Sequence, residues 1–279
     1  VAITIGLILV SLLYSNIASA ITIRIDQPKV RLQVARGGEK SGTIAVENPS
    51  EVTAFVSVYV EDWLYSSTAD GSKNFFPPGT TDLSCAKWIT FGPAELQIPP
   101  FGKQAITYSV SCPSDADGAH YAVLFFETSL GETEDEQGVS VNVMGRLGSL
   151  FVVEPEGTVN RDAKLTNLSV NGKLSSDSEA KLSIQLNLEN TGNVDFASEG
   201  TFYIMDDQGL IVARGELSPC YTLPGDKGTI YSNVSKASPS QIPAGEYDLI
   251  ITIDIGGIPK VLEVKLNINP SGEVSYSGP

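Results

Sequence analysis

The sequence has little of what enzymes use for catalysis. His120 is the one histidine among 279 residues, so metal centres and catalytic triads that need several histidines are excluded. No G-x-S-x-G elbow, no phosphate-binding P-loop and no G-x-G-x-x-G after a strand is present. Carboxylates are numerous, but none are paired at a spacing typical of glycosidases. We therefore expect no enzymatic activity, no cofactor and no metal site.

Basic residues are also scarce. Lysine and arginine number 18 against 33 acidic residues, which gives a net charge of −15. A nucleic-acid-binding protein normally has a basic face, so nucleic acid is not an expected partner. Two acidic runs, at 115–118 and 132–136, place oxygens close together but do not match a calcium-loop template. Solvated acidic loops are the simpler interpretation.

Long apolar runs are confined to the first residues. Val1 to Tyr14 is almost wholly apolar, and Ala18-Ser19-Ala20 follows it. This pattern predicts a signal peptide over 1–20 with Ile21 as the first mature residue. The competing interpretation is an uncleaved anchor, but a spanning helix needs roughly 20 apolar residues. We expect an exported protein of the periplasm or cell surface, with no stable membrane span after cleavage.

Cysteine is nearly absent, with three in the chain. An exported protein can keep a disulfide, and Cys85 and Cys112 both flank predicted strands of one domain. We therefore predict a disulfide between them. Cys220 is then left as a buried thiol without a predicted function.

Short alternating strands dominate what remains. Apolar and polar residues alternate from Ile21 to Asp26, for example, and Gly, Pro and Asn bound most such runs, which is typical of β-structure. The predicted fold is all-β, with two tandem immunoglobulin-like β-sandwiches. The predicted domains cover 21–155 and 156–270, the first with a loop insertion near 65–83, and 271–279 is a flexible tail.

The two halves share landmarks in the same order. Asn48 begins a turn that matches the turn beginning at Asn190, and Pro100-Phe101-Gly102-Lys103 matches Leu223-Pro224-Gly225-Asp226. Tyr121 and Tyr247 each open a late apolar strand, a placement that suits a tyrosine corner. These matches indicate two related sandwiches.

The first half resembles the periplasmic pilus-assembly chaperones of the PapD-like superfamily. The resemblance is carried by the turn at Gly37-Gly38-Glu39, the turn at Asn48-Pro49-Ser50, the strand that ends at Trp63, and the motif Pro99-Pro100-Phe101-Gly102-Lys103. It implies a protein that donates an edge strand to an incomplete pilus subunit and holds the subunit's terminal carboxylate with two basic residues. Arg31 and Arg146 are the nearest matches to that pair. The second half resembles the sandwich of bacterial surface proteins that interact with WxL-domain partners, on 186–194 and 245–253.

The candidate binding strand can also be found from the residues alone. Val139, Val141 and Val143 alternate with polar residues after the acidic run. Such a strand can extend the sheet of a partner such as a pilin-like or surface-assembly subunit. The alternative is that these valines face the core of their own domain. A second hypothesis for the whole chain is a structural surface or adhesion module that binds no client.

Overall fold

The computed structural model describes residues 23–134, 138–174, 181–233 and 242–276. Strands account for nearly all regular structure in these ranges, and the one helical element described is a 3₁₀ turn at Ala86–Trp88. The all-β prediction is confirmed. The predicted signal segment lies outside the described residues. Part of the predicted flexible tail differs from expectation, because Glu273–Tyr276 form a strand.

The first half forms two sheets that pack face to face. One sheet has the strand order β1-β3-β8-β6, and the other has the order β2-β10-β9-β4-β5, with β7 added to β4. The strands are β1 Arg24–Ile25, β2 Lys29–Val34, β3 Glu39–Glu47, β4 Ala54–Tyr65, β5 Lys73–Phe76, β6 Ile89–Gly92, β7 Glu95–Ile98, β8 Lys103–Ser111, β9 His120–Glu134 and β10 Ser140–Pro155.

The second half forms one hydrogen-bonded sheet that folds over on itself. Its order is β14-β13-β16-β17-β18-β11-β12-β15, and its two end strands meet where the Tyr231 N–H donates to Ser218 Oγ. The strands are β11 Ala163–Lys173, β12 Lys181–Asn190, β13 Phe196–Met205, β14 Ile211–Thr222, β15 Lys227–Asn233, β16 Gly245–Asp254, β17 Pro259–Ile268 and β18 Glu273–Tyr276.

Each half has its own apolar core, as period-2 alternation dictates for strands with one buried face. Ile44, Ile106 and Phe126 lie in the first core, and Phe202 and Ile251 lie in the second. A third apolar cluster joins the halves, where Val194 and Leu223 of the second sandwich pack with Trp63 and Tyr121 of the first.

The predicted insertion near 65–83 bridges the two sandwiches. Part of it is β5, which pairs with β4 and was not predicted. The turn between these strands places Ala69 in the core of the second sandwich, where the Tyr221 N–H donates to the Ala69 carbonyl at 2.9 Å. The insertion therefore contributes to holding the halves together.

The two predicted tyrosine corners have different outcomes. The Tyr247 hydroxyl donates to the Pro243 carbonyl four residues upstream, as a tyrosine corner requires. The Tyr121 hydroxyl instead accepts the backbone N–H of Asp195 in the second sandwich, at 2.8 Å. The tyrosine-corner prediction is therefore wrong for Tyr121, which joins the two domains.

Candidate functional site

A β-hairpin arm extends beyond the body of the first sandwich. We define the arm as residues 129–134 of β9 with 138–143. The β4–β9 pairing ends at Val56 and Thr128, whereas the β9–β10 pairing continues to Glu134 and Ser140. Within the described residues, the arm therefore has only two strands.

One edge of β10 is open along the arm and its base. Strand β2 pairs with β10 only from Leu150 to Pro155. No described strand pairs with Ser140 to Gly148 on that side. The Leu150 N–H donates to the Pro28 carbonyl at 3.0 Å on this edge. Since alternate residues of a strand direct their backbone groups to the same edge, those of Asn142, Met144, Arg146 and Gly148 face the open side.

Val141 and Val143 occupy the core-facing row of β10, and Val139 directly precedes this strand. The register shift beside Val143 inserts its extra residue into β9, because Val143 pairs with Gly131 and Met144 with Ser129. Alternation along β10 is therefore uninterrupted, and the row of Phe151 and Val153 continues to the valines. They lie beyond the core and are exposed: 56% for Val139, 43% for Val141 and 39% for Val143. The alternative that they fill their own core does not hold in this structure.

Arg31 lies at the junction of the two sandwiches. Its guanidinium donates to both carboxylate oxygens of Asp195, at 2.7 and 2.6 Å, and also to Glu154. Both carboxylates are buried, and Glu154 also receives Arg161 at 3.0 Å. Burial by itself lowers the pKa of Arg31, but attraction to Asp195 and Glu154 leaves that pKa above its ordinary value. Arg31 is therefore already committed to carboxylates of its own chain.

Arg146 has a different environment on the outer face of the same sheet. Its guanidinium carbon lies 4.0 Å from the ring centroid of Phe125, and it reaches Glu61 at 3.4 Å. Arg31 pairs with Val152, six positions along β10 from Arg146 (152 − 146). At 3.3 Å per residue this is roughly 20 Å. The structure therefore does not bring the two arginines together as a carboxylate clamp.

Two lysines near the junction were missed by the sequence reasoning. The Lys73 ammonium nitrogen lies over two aromatic rings, 5.9 Å from the ring centroid of Trp63 and 5.4 Å from that of Tyr65. Burial, and secondly the charge of Lys29, lower the pKa of Lys73. Lys29 is the first residue of β2, where the open edge of β10 ends. Recognising β5 as a strand would have been the one sequence signal for Lys73, but the composition of this segment is typical of a loop.

The three cysteines are free thiols in the structure, and all are buried. The predicted bond between Cys85 and Cys112 is not formed, although both lie in the first core. Burial raises the pKa of all three thiols, that of Cys220 to about 11. The disulfide stays a prediction. Thiol counting after unfolding without reductant tests it, since one thiol reacts if the bond forms and three react if it does not.

Among the described residues, no group of three or more His, Cys, Asp or Glu side chains is arranged to hold a metal ion. The His120 ring packs against Trp88 with ring centroids 4.3 Å apart and an angle of 41° between the ring planes. Burial lowers its pKa. The described part of the chain also contains no helix long and apolar enough to cross a membrane.

Comparisons with known proteins give similarity to solved structures only. No family model matches the chain, and no curated protein matches it. A chain from the chaperone–tip adhesin complex of CFA/I fimbriae biogenesis is 10% identical, with 87% of this chain and 98% of that chain covered and a TM-score of 0.49. The class 5 fimbriae chaperone CfaA is 13% identical, with coverage of 89% and 99% and a TM-score of 0.45.

A chain from the CsuC–CsuE chaperone–tip adhesion subunit complex of Acinetobacter baumannii is 12% identical, with coverage of 87% and 98% and a TM-score of 0.43. Similarity at this level concerns the fold alone. These structures are of the fimbrial-chaperone class that the first half resembles in sequence. The likeness of the second half to WxL-interacting sandwiches stays a prediction.

Proposed function

We propose that this protein binds another exported protein by β-strand addition along the open edge of β10, in a chaperone-like or assembly role. The observation that carries the proposal is the edge from Ser140 to Gly148, which no described strand covers. A row of exposed valines lies beside it. The partner would be a β-rich subunit in the periplasm or at the cell surface, and no catalytic step is involved.

An open edge beside an apolar row offers a partner strand both main-chain hydrogen bonds and apolar contacts. Unpaired backbone groups of an edge strand give a partner strand its main-chain hydrogen bonds. Alternate side chains of both strands then share one face. At this edge that face carries Val141 and Val143, so the partner strand would bring apolar residues at every second position to cover them. The terminal-carboxylate role expected for Arg31 and Arg146 has no support in their ion pairs. Lys73 is the better candidate for an anionic chain end, because Lys29 also lies 3.8 Å from the Asp195 carboxylate.

Replacing Asn142 with proline is expected to abolish partner binding. The Asn142 N–H faces the open edge, so proline removes a donor that the partner needs and places its ring there. The β9–β10 pairing does not use this N–H and should survive. Asn142→Ala is the matched control, because it removes the side chain and keeps the N–H. The measurement is native purification of each variant from its host with mass spectrometry of the co-eluting proteins.

Retention of a stoichiometric partner by Asn142→Pro would reject strand addition at this edge. A partner-free monomer or a self-assembled polymer for the unsubstituted chain would instead favour the structural surface module.

Val141→Asp is expected to weaken partner binding at least about tenfold while leaving the fold intact. A carboxylate on the half-exposed row stays solvated in the free protein but would be buried under a partner strand without a counter-charge. Isothermal titration with the purified partner measures the loss, and near-ultraviolet circular dichroism reports the fold. Loss of the folded state in Val141→Asp would show that Val141 belongs to the core of its own sandwich.

A further inference from the structure

The two sandwiches end in the same hydrogen-bonded structure at one pole. We name Asn48–Thr53 with Pro99–Gly102 the free pole of the first sandwich. We name Asn190–Asp195 with Leu223–Asp226 the docked pole of the second. Each pole consists of two adjacent loops, and the first loop of each begins at a buried asparagine.

Two hydrogen bonds of each asparagine side chain correspond between the poles. The Asn48 amide donates to the Val52 carbonyl at 2.7 Å and its oxygen accepts the Ser50 N–H at 3.0 Å. The Asn190 amide donates to the Val194 carbonyl at 2.9 Å and its oxygen accepts the Gly192 N–H at 3.0 Å.

The second loops also correspond. The Asn48 N–H donates to the Gly102 carbonyl, and the Asn190 N–H donates to the Asp226 carbonyl, both at 2.9 Å. This pairing aligns Gly102 with Asp226, and therefore Phe101 with Gly225 and Pro99 with Leu223. It corrects by one residue the match expected from the sequence.

The docked pole shows what such a surface binds. Val194 and Leu223 are 0% and 2% exposed, because they pack on Trp63 and Tyr121 of the first sandwich. Two backbone groups complete the contact. The Asp195 N–H donates to the Tyr121 hydroxyl, and the Asn193 carbonyl accepts the Ala119 N–H at 2.8 Å.

The free pole has the corresponding side chain and backbone groups, and the described chain leaves them uncovered. Val52, the counterpart of Val194, is 66% exposed. Thr53 N–H and the Glu51 carbonyl correspond to the two backbone groups above, and neither forms a hydrogen bond within the described residues.

Phe101 adds an aromatic side chain on a strained backbone to this surface. Its φ is +54°, where the equivalent Gly225 has +84°, a region that bulky residues rarely adopt. The residue is 71% exposed, so packing of its side chain contributes little to the stability of the fold. Backbone strain of this kind is typical of ligand-binding segments, and large exposed apolar groups mark interaction surfaces.

We propose that the free pole is a docking surface for the end of an immunoglobulin-like β-sandwich of a different protein. The occupant would cover Val52 and Phe101 with an aromatic surface and would present a hydrogen-bond acceptor, such as a tyrosine hydroxyl, to the Thr53 N–H. A second copy of this chain is a poor occupant, since its own Tyr121 surface is already covered by Val194 and Leu223.

The free pole is continuous with the base of the arm but uses different residues. Met144 pairs with Ser129, and Phe55 and Ser129 each lie one residue beyond the last β4–β9 pair, Val56 with Thr128. Phe55 and Met144 are both exposed. A sandwich docked at the pole would therefore extend the interface proposed for the edge of β10 without depending on strand addition.

The test is photo-crosslinking from the pole of the full chain. A benzophenone-bearing residue is introduced at position 101, or at the exposed Val261 of the second sandwich as control, in cells that make the protein. We expect position 101 alone to link another protein, through a loop at the end of an immunoglobulin-like sandwich. Cross-links to the chain itself or to lipid, or equal linking from 261, would overturn the proposal.

The second measurement uses that purified protein as the probe. Phe101→Gly relieves the positive-φ strain and reproduces Gly225, so its thermal midpoint should be unchanged or higher. Its affinity for the probe should fall at least about tenfold, as expected for an anchoring aromatic residue. Unchanged affinity in Phe101→Gly would overturn the inference. Asn142→Pro, run in parallel, bears on the edge of β10 only, so the two proposals can fail separately.

Discussion

Arg31→Met is expected to lower the free energy of unfolding by about 3–5 kcal/mol, the usual cost of breaking a buried ion pair. The guanidinium is held by Asp195 and Glu154, whose side chains are 3% and 4% exposed. Methionine keeps much of the volume but removes the bidentate partner of the buried Asp195 carboxylate, which is then left with Lys29 at 3.8 Å. The measurement is urea unfolding of the full chain.

Two further variants make the Arg31 experiment specific. Lys103→Met removes an exposed ion pair with Glu47 and should cost no more than about 1 kcal/mol. Adding Asp195→Leu to Arg31→Met should restore part of the loss, because Glu154 still has Arg161 at 3.0 Å. A loss below about 1 kcal/mol for Arg31→Met would contradict this structural role. It would return Arg31 to the carboxylate-binding role that the family resemblance implies.

Asp62→Ala is expected to lower the free energy of unfolding by about 3 kcal/mol, since hydrogen bonds to charged groups each contribute about 1.5–3 kcal/mol. The buried carboxylate accepts the N–H groups of Gly79, Thr80 and Thr81 and the Ser84 hydroxyl. It therefore holds the far side of the insertion against β4. Denaturant unfolding measures the loss, and Asp82→Ala, at an exposed position of the same loop, is the control.

The Asp62 contribution should depend on pH. Burial raises the pKa of Asp62, but the hydrogen bonds from Ser84 and from the backbone of Thr81, Gly79 and Thr80 outweigh burial and hold it below 3.8. A depressed pKa stabilises the fold above the unfolded value of about 3.9 and loses that effect as pH falls through the folded value. The difference between wild type and Asp62→Ala should therefore be largest at pH 7 and should shrink as the pH falls below about 3.9. A constant difference across this range would contradict the assignment.

The sequence by itself determined the all-β fold and the relation between the two halves. Period-2 alternation and turn residues are local properties, so they specify strands without knowledge of the neighbours. The turns at Asn48 and Asn190 were recognisable for the same reason. The side-chain amide of each asparagine donates to a backbone carbonyl four residues further along the chain. The local turn sequence is therefore enough to indicate these contacts.

Only the tertiary structure decided which of these residues are available to a partner. The valines after the acidic run have the same alternation whether they are buried or exposed, and their exposure follows from where the other strands end. Arg31 pairs with Asp195, 164 positions away along the chain, so no local pattern could show that its charge is already neutralised. Val52 and Val194 occupy equivalent turns with opposite burial, because the first sandwich covers one pole and the described chain leaves the other uncovered.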